Sequence, residues 1–216
     1  MSDITKWAQN TREQYETLGE FVEGFELMVD EVRSSCILLI GRNTFEKPLA
    51  EIAFHHGAMT AKPLFEIMRA MIGELTKDPD NADAKERAVF TGVLSQIAKE
   101  YSDLTNMRNN LLHGTWFVGH IAHDDITAKE FYVRKHTSTK DGLSSLVLPK
   151  TAEELRALSR RCWLTRDFIR AIQDCIPFVG NGSKLERRFK LTKDGWEMRP
   201  YWRQRPSQKR RKQEPT

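Results

Sequence analysis

Two long stretches in which apolar residues recur every three or four positions constrain the fold of this chain more than any other feature. The first covers residues 11–41 and the second covers residues 83–113. At this spacing the apolar side chains fall on one face of an α-helix, and that face has to be buried against another element. The chain is therefore expected to fold as a mainly α-helical bundle.

Residue types that cap or stop helices mark the ends of these stretches. Asn10 or Thr11 is expected to cap the start of the first helix, and Gly41 to end it. Gly114 is expected to end the helix over 83–113, as a residue type that commonly follows the last turn of a helix.

Two further helices and a short element complete the expected bundle. Apolar spacing predicts a helix over about 60–75, and residues 43–53 are expected to form a short helix or turn. A capping box from Thr151 to Glu154 predicts the start of a last long helix, which runs to about residue 176. The helix over 83–113 is then the third of four long helices.

The helical period gives way to an alternating pattern in residues 115–148. Residues 115–122 and 129–137 are rich in β-branched and aromatic residues and are expected to form a β-hairpin, to which residues 143–149 could add a strand. The expected fold is an up-and-down helical bundle with a β-hairpin insertion after the third long helix.

Charge divides the chain into an acidic body and a basic C-terminal extension. Residues 183–216 contain twelve Lys or Arg against four Asp or Glu, whereas acidic residues outnumber basic ones in residues 1–182. We expect a helical domain over 1–182 and a partly disordered extension over 183–216, with a short hairpin about Asp194-Gly195. An extension of this charge favours nucleic acid, an anionic lipid or an acidic protein as its partner.

Several protein classes are disfavoured by the same sequence. The longest uncharged apolar run, CILLIG, is too short to span a bilayer, and the N-terminal residues lack a secretory signal pattern. Cys36, Cys162 and Cys175 are far apart and form no CxxC pair, so we expect them to be reduced and packed as small apolar side chains. The expectation is a cytoplasmic protein without a membrane span.

Arg108 breaks the apolar pattern of the third long helix. On a helical wheel at about 100° per residue, Tyr101 and Leu104 lie within about 40° of Ile97, and Arg108 lies about 20° from Ile97. A guanidinium keeps its charge, and burying it without a partner is costly. Arg108 should therefore meet a carboxylate, line a wet cleft or face a second subunit.

His113 ends the same helix and lies on another side of it. Its wheel position is about 140° from that of Arg108, and it lies about 7.5 Å further along the axis. The negative end of the helix dipole favours a charged imidazole, which could transfer protons near neutral pH. Arginine binds phosphate with paired donors, so the two residue types together suit metal-free cleavage of RNA, whose 2′-hydroxyl supplies the nucleophile.

The segment Arg108-Asn109-Asn110-Leu111-Leu112-His113 resembles the Arg-Asn-x-x-x-His motif of the HEPN family (higher eukaryotes and prokaryotes nucleotide-binding). The resemblance covers the motif and the helical order over about 11–176, but neither the β insertion nor the basic extension. It implies a metal-independent endoribonuclease without cofactor, in which Arg108, Asn109 and His113 are catalytic. It also implies a homodimer that joins two motifs, RNA as substrate, and an antitoxin or phage-defence partner.

Aromatic residues alternate with basic ones in the extension, a pattern that suits stacking on bases and contact with phosphates. The expected RNA-binding residues are Lys193, Trp196, Arg199, Tyr201, Trp202, Arg203 and Arg205. The alternative is that Trp196 packs on the bundle and that the terminal charges are merely solvated.

The same residues are compatible with other assignments. Arg108 could pair with an internal acid such as Glu31 or Glu66 while His113 only caps the helix, which would leave a non-catalytic helical scaffold or RNA-binding adaptor. A membrane-peripheral protein that uses the basic extension is a further alternative. The histidines and aspartates of residues 120–125 and the adjacent His55-His56 are weaker candidates for metal ligands, and no metal site is expected.

Overall fold

The computed structural model describes most of the chain, namely residues 3–40, 47–57, 59–77, 82–117, 130–139, 142–176 and 183–199. The elements in this part are, in chain order, α1 (Asp3–Ile40), α2 (Lys47–Phe54), α3 (Ala61–Lys77), α4 (Ala84–Leu112), β1 (Thr115–Phe117), β2 (Glu130–Thr139), β3 (Gly142–Thr151), α5 (Ala152–Gln173), α6 (Ser183–Arg188), β4 (Phe189–Thr192) and β5 (Gly195–Met198). The predicted fold class, mainly α with a β insertion after the third long helix, is confirmed.

The start of α1 was predicted wrongly. The helix begins at Asp3 and continues through Asn10 and Thr11. No proline or glycine interrupts residues 3–11, and Asn and Thr are poor but tolerated helix residues. An ion pair from Arg156 of α5 to Glu13, at 2.6 Å, also ties the early turns of α1 to the bundle.

The core lies between the four long helices. α1 packs most extensively on α5, and α3 and α4 close the bundle around them. Gly24 allows the close approach of α1 to α5, because a Cβ there would already be 3.4 Å from Cys162 Cβ and Ser159 Oγ. The largest fully buried side chains include Phe21, Met28, Leu64, Met68, Ile72, Phe90, Ile97, Leu104, Leu111, Leu155 and Ile169.

The insertion forms a three-stranded antiparallel sheet in the order β1-β2-β3. Thr115 is paired with Arg134, and Glu130 is paired with Thr151. β3 leads directly into α5, and Thr151 is both the last strand residue and the helix cap. The predicted capping box is confirmed, since Thr151 Oγ1 accepts from the Glu154 N–H at 3.2 Å and the Thr151 N–H donates to Glu154 Oε2 at 2.8 Å.

The first part of the basic extension is folded onto α4. Leu185 and Phe189 are buried in the common core, and the predicted hairpin is present as β4 and β5. Gln96 holds the hairpin with two bonds to the backbone of Trp196, donating from Nε2 at 2.9 Å and accepting at Oε1 at 2.7 Å. The Trp196 ring lies over Gly92, where a Cβ would be 2.5 Å from Nε1.

Candidate functional site

The C-terminal end of α4 positions the residues of the Arg-Asn-x-x-x-His motif. Asp83 caps the start of the helix, with Oδ1 accepting from the Glu86 N–H at 2.7 Å. The helix then runs without a break to Leu112. His113 is its C-cap residue, and its backbone N–H donates to Asn109 O at 3.1 Å. The motif therefore occupies the last turns of one continuous helix, as predicted.

Arg108 lies at the surface edge of the contact between α4 and α1. Its guanidinium carbon is 5.6 Å from the centroid of the Phe25 ring, over which it is placed. Nη2 donates to Glu26 Oε1 at 3.2 Å, and Nη1 makes a long contact with Asn109 Oδ1 at 3.5 Å. The Arg108 side chain is 28% exposed and that of Glu26 is 55% exposed. The arginine meets a carboxylate, and the carboxylate is at the surface.

The hydrogen-bonding capacity of Arg108 is poorly used by these contacts. Nε is buried and has no hydrogen-bond partner in the part of the chain that the structure describes. The contacts with Glu26 and Asn109 are both longer than the 2.7–2.9 Å or so that is usual between a guanidinium and a carboxylate. A cation held in this way can still donate strongly to an anion at the surface.

Phe25 and Glu26 are site residues that the sequence did not identify. Phe25 belongs to the apolar stripe of α1 and is 3% exposed, so one side of the guanidinium rests on the core. Glu26 lies 82 residues before Arg108 in the chain. The only sequence signal for Glu26 is an acid beside the apolar stripe of another long helix, and many acids meet that description.

The internal partners considered for Arg108 are engaged or lie elsewhere. Glu31 is buried and accepts from two arginines of α5, Arg166 at 3.2 Å and Arg170 at 2.8 Å. Glu66 is exposed on α3. The alternative in which Arg108 pairs with a carboxylate is therefore correct, but Glu31 and Glu66 are not that carboxylate. Among the described acids, only Glu26 of α1 contacts the guanidinium.

The remaining motif residues are accessible at the helix end. Asn109 and Asn110 are half-buried, and His113 is exposed. Leu111, between them, is fully buried and continues the core to the last turn of α4. His113 is therefore exposed at a helix end that Leu111 anchors in the core, and its backbone N–H belongs to the last turn of the helix.

Tyr101 of α4 joins this helix to α3 near the motif. Tyr101 is buried, its ring stacks on Phe65 with centroids 4.7 Å apart, and its hydroxyl donates to Ala61 O at 3.1 Å. Burial is the main cause that raises the pKa of Tyr101, and Arg33 acts in the opposite direction. Tyr101 is therefore a neutral, structural residue two turns before Arg108.

The residues expected to bind RNA fall into three groups. Lys193 and Arg199 are exposed on or beside the C-terminal hairpin. Trp196 is half-buried against Gly92, which favours the alternative in which it packs on the bundle. The other predicted positions, Tyr201, Trp202, Arg203 and Arg205, lie outside the described residues, as does the terminal segment expected to be disordered.

Within the described ranges, no group of three or more His, Cys, Asp or Glu side chains is placed to hold a metal ion. His55 and His56 are exposed in the turn after α2, and the histidines and aspartates of residues 120–125 lie outside the described residues. The helices described here include none that is both long enough and apolar enough to cross a membrane.

Comparison of the chain with family models, curated proteins and solved structures found no match.

Proposed function

We propose that this protein is a metal-independent endoribonuclease of the HEPN type, acting in the cytoplasm in toxin–antitoxin or phage-defence biology. The observation that carries the proposal is the state of Arg108, a half-buried cation whose two Nη atoms make long contacts, at 3.2 and 3.5 Å, with the described residues Glu26 and Asn109. Such a group suits a phosphodiester, which offers two charged oxygens to a guanidinium. An exposed histidine five residues later on the same helix adds a proton-transfer group.

The proposed reaction is a transesterification within the RNA strand. The 2′-hydroxyl attacks the adjacent phosphorus and loses its proton to a base, and the 5′-oxygen of the next nucleotide leaves with a proton from an acid. His113 serves as base or acid, while Arg108 binds the phosphate and offsets the charge that develops on it. Asn109 positions the guanidinium through its contact with Nη1. The products are a 2′,3′-cyclic phosphate and a 5′-hydroxyl.

The first test is cleavage of a single-stranded RNA by the full-length chain in excess chelator. Arg108→Ala is expected to lower the rate by about 10²- to 10³-fold, and His113→Ala by about 10²- to 10⁴-fold. Arg160→Ala and His55→Ala are the matched controls, since both side chains are exposed and lie on other helices or turns. Unchanged cleavage in both motif variants, or a strict need for metal, would refute the proposal.

A homodimer is part of the proposal because Arg108 and His113 lie on different sides of the same helix, α4. Arg108 and His113 differ by about 140° around α4 and by about 7.5 Å along it. A second copy related by two-fold symmetry could bring its own motif to the same cleft, so that each phosphate meets an arginine of one subunit and a histidine of the other.

Mixing two inactive variants tests this arrangement. When Arg108→Ala and His113→Ala chains are co-expressed, a mixed dimer keeps one site with both an intact arginine and an intact histidine. Cleavage should recover to a measurable fraction of the wild-type rate in the mixture and in neither variant alone. If the purified mixed dimer cuts no faster than the single variants, the two groups do not act across the subunits.

A non-catalytic helical scaffold or RNA-binding adaptor is the second candidate. The observation in its favour is that Phe25 and Glu26 give Arg108 a structural role in joining α1 to α4. This candidate predicts that RNA binds without being cut, and that Arg108→Ala lowers the melting temperature while leaving RNA binding intact. The endoribonuclease proposal instead predicts lost cleavage with a fold that remains intact.

The basic extension is proposed to raise affinity for RNA in both cases. Lys193 and Arg199 are exposed on the docked part of the extension. Contacts of this kind release counterions, so affinity should fall steeply with salt concentration.

A further inference from the structure

Glu26 accepts a hydrogen bond from Nη2 of Arg108, one of the two guanidinium nitrogens that are left for an anion from solution. Phe25 lies against one face of the guanidinium, and Nε is buried. The two Nη atoms are left, and one of them contacts the neutral Asn109 while the other donates to Glu26 at 3.2 Å. An incoming phosphate in the plane of the guanidinium therefore competes with the Glu26 carboxylate.

We infer that Glu26 is the resident anion of the Arg108 site, which a phosphodiester displaces on binding. This inference depends on the proposed function, because it assigns to Arg108 the role of phosphate ligand. Glu26 is suited to leave, since its side chain is 55% exposed and its pair with Arg108 is longer than an ideal ion pair. Exposed pairs of this kind contribute little stability and are screened by salt.

The two anions cannot share the site without repulsion. A phosphate that binds Arg108 while Glu26 stays in place would put two negative charges side by side at a half-buried position, where water screens them less than in solution. Glu26 therefore rotates into solvent when the phosphate binds. The site should therefore select RNA strands over free phosphate. A free phosphate gains little binding energy from replacing Glu26 at Arg108, whereas an RNA strand makes further contacts with the protein.

Glu23 provides a matched control on the same helix. It is exposed, lies three residues before Glu26, and carries the same charge. Its surroundings differ, since Glu23 lines a groove of about 370 Å³ between α1 and α5 together with Trp163. Glu23→Gln thus removes the same charge from the same helix but leaves the anion beside Arg108 unchanged.

The experiment measures binding of a uniformly 2′-O-methylated RNA to the full-length chain, because blocking the 2′-hydroxyl prevents cleavage. Glu26→Gln should bind about 10-fold more tightly than wild type, which corresponds to about 1.4 kcal/mol. Glu23→Gln should change affinity by no more than about 2-fold, the general effect of one lost negative charge. In the Arg108→Ala background, Glu26→Gln should have no larger effect than Glu23→Gln.

The inference is overturned if Glu26→Gln binds no more tightly than Glu23→Gln, or if its gain persists without Arg108. Its failure is distinguishable from failure of the proposed function. If the protein is not a nuclease, unmodified RNA stays intact while the gain in Glu26→Gln remains. If only the role of Glu26 is wrong, unmodified RNA is cut and the gain is absent. Glu26→Ala repeats the measurement with a second side chain, and both variants leave the core untouched.

Discussion

Arg108 shows how three neighbours can hold one charged side chain in three different ways. Phe25 offers the face of a ring, Asn109 a neutral oxygen and Glu26 a charged oxygen. The aromatic contact is expected to contribute about 0.5–1 kcal/mol at a partly exposed position. Together these contacts hold the guanidinium at the contact between α1 and α4.

The three thiols are the opposite case, in which burial suppresses chemistry. Burial raises the pKa of Cys36 and Cys162 to about 12 and that of Cys175 to about 11, from an ordinary value of 9.0. All three thiols should therefore stay protonated in the folded protein at pH 8 and react far more slowly with a disulfide reagent than they do in urea. Rapid reaction of the native protein would contradict this burial.

The raised pKa values of the thiols also predict how the stability of the fold changes with pH. A raised pKa in the folded state means that the folded protein prefers the neutral thiol. The neutral thiols of Cys36 and Cys162 thus add to the free energy of unfolding in full below pH 9, and this stabilisation is lost as the pH rises from 9 toward about 12. Alkaline conditions should accordingly weaken the fold through these groups.

At the scale of elements, α4 carries both the motif and the docking site of the C-terminal hairpin. Gln96 and Gly92 receive Trp196, and Arg108 follows about 18 Å further along the helix axis than Gln96. The first part of the basic extension is thus fixed to the helix that presents the motif.

Gly92→Ala tests the docking of the hairpin. The new Cβ would be 2.5 Å from Trp196 Nε1 and 2.9 Å from Cε2, so the ring has to move. We expect a loss of about 1–3 kcal/mol in the free energy of unfolding, measured by urea denaturation. Gly73→Ala is the control, since a Cβ there meets no atom within 4 Å. It should instead gain up to about 1 kcal/mol from helix propensity. A stabilising effect in both variants would contradict the docking.

Helix periodicity and capping residues were enough to predict most elements, and the exceptions have physical causes. The capping box at Thr151 depends on hydrogen bonds between neighbouring residues, which a sequence shows directly. The start of α1 is not visible in this way, because Asn10 and Thr11 suit a helix cap but are also tolerated inside the helix, which begins at Asp3. The packing of Trp196 depends on Gly92, 104 positions earlier in the chain.

At the scale of the whole molecule, the site combines a local motif with distant partners. The position of Arg108 within an apolar stripe was visible in the sequence, because a helical wheel needs only the spacing of residues. Its partner was not, since Glu26 belongs to another helix and the packing of α1 against α4 decides which acid arrives. The acidic body and the basic extension were likewise visible as charge, but the docking of β4 and β5 was not.

The central claim is that the 2′-hydroxyl of RNA is the nucleophile at the Arg108 and His113 site. The most direct measurement compares, in excess chelator, an RNA that the wild-type chain cuts with the same strand carrying a single 2′-deoxynucleotide before the cut phosphate. The account predicts that the RNA is cut to a fragment ending in a 2′,3′-cyclic phosphate and that the deoxy strand stays intact at that position. Equal cleavage of both strands at that phosphate, or an RNA fragment that ends in a 3′-hydroxyl, would contradict it.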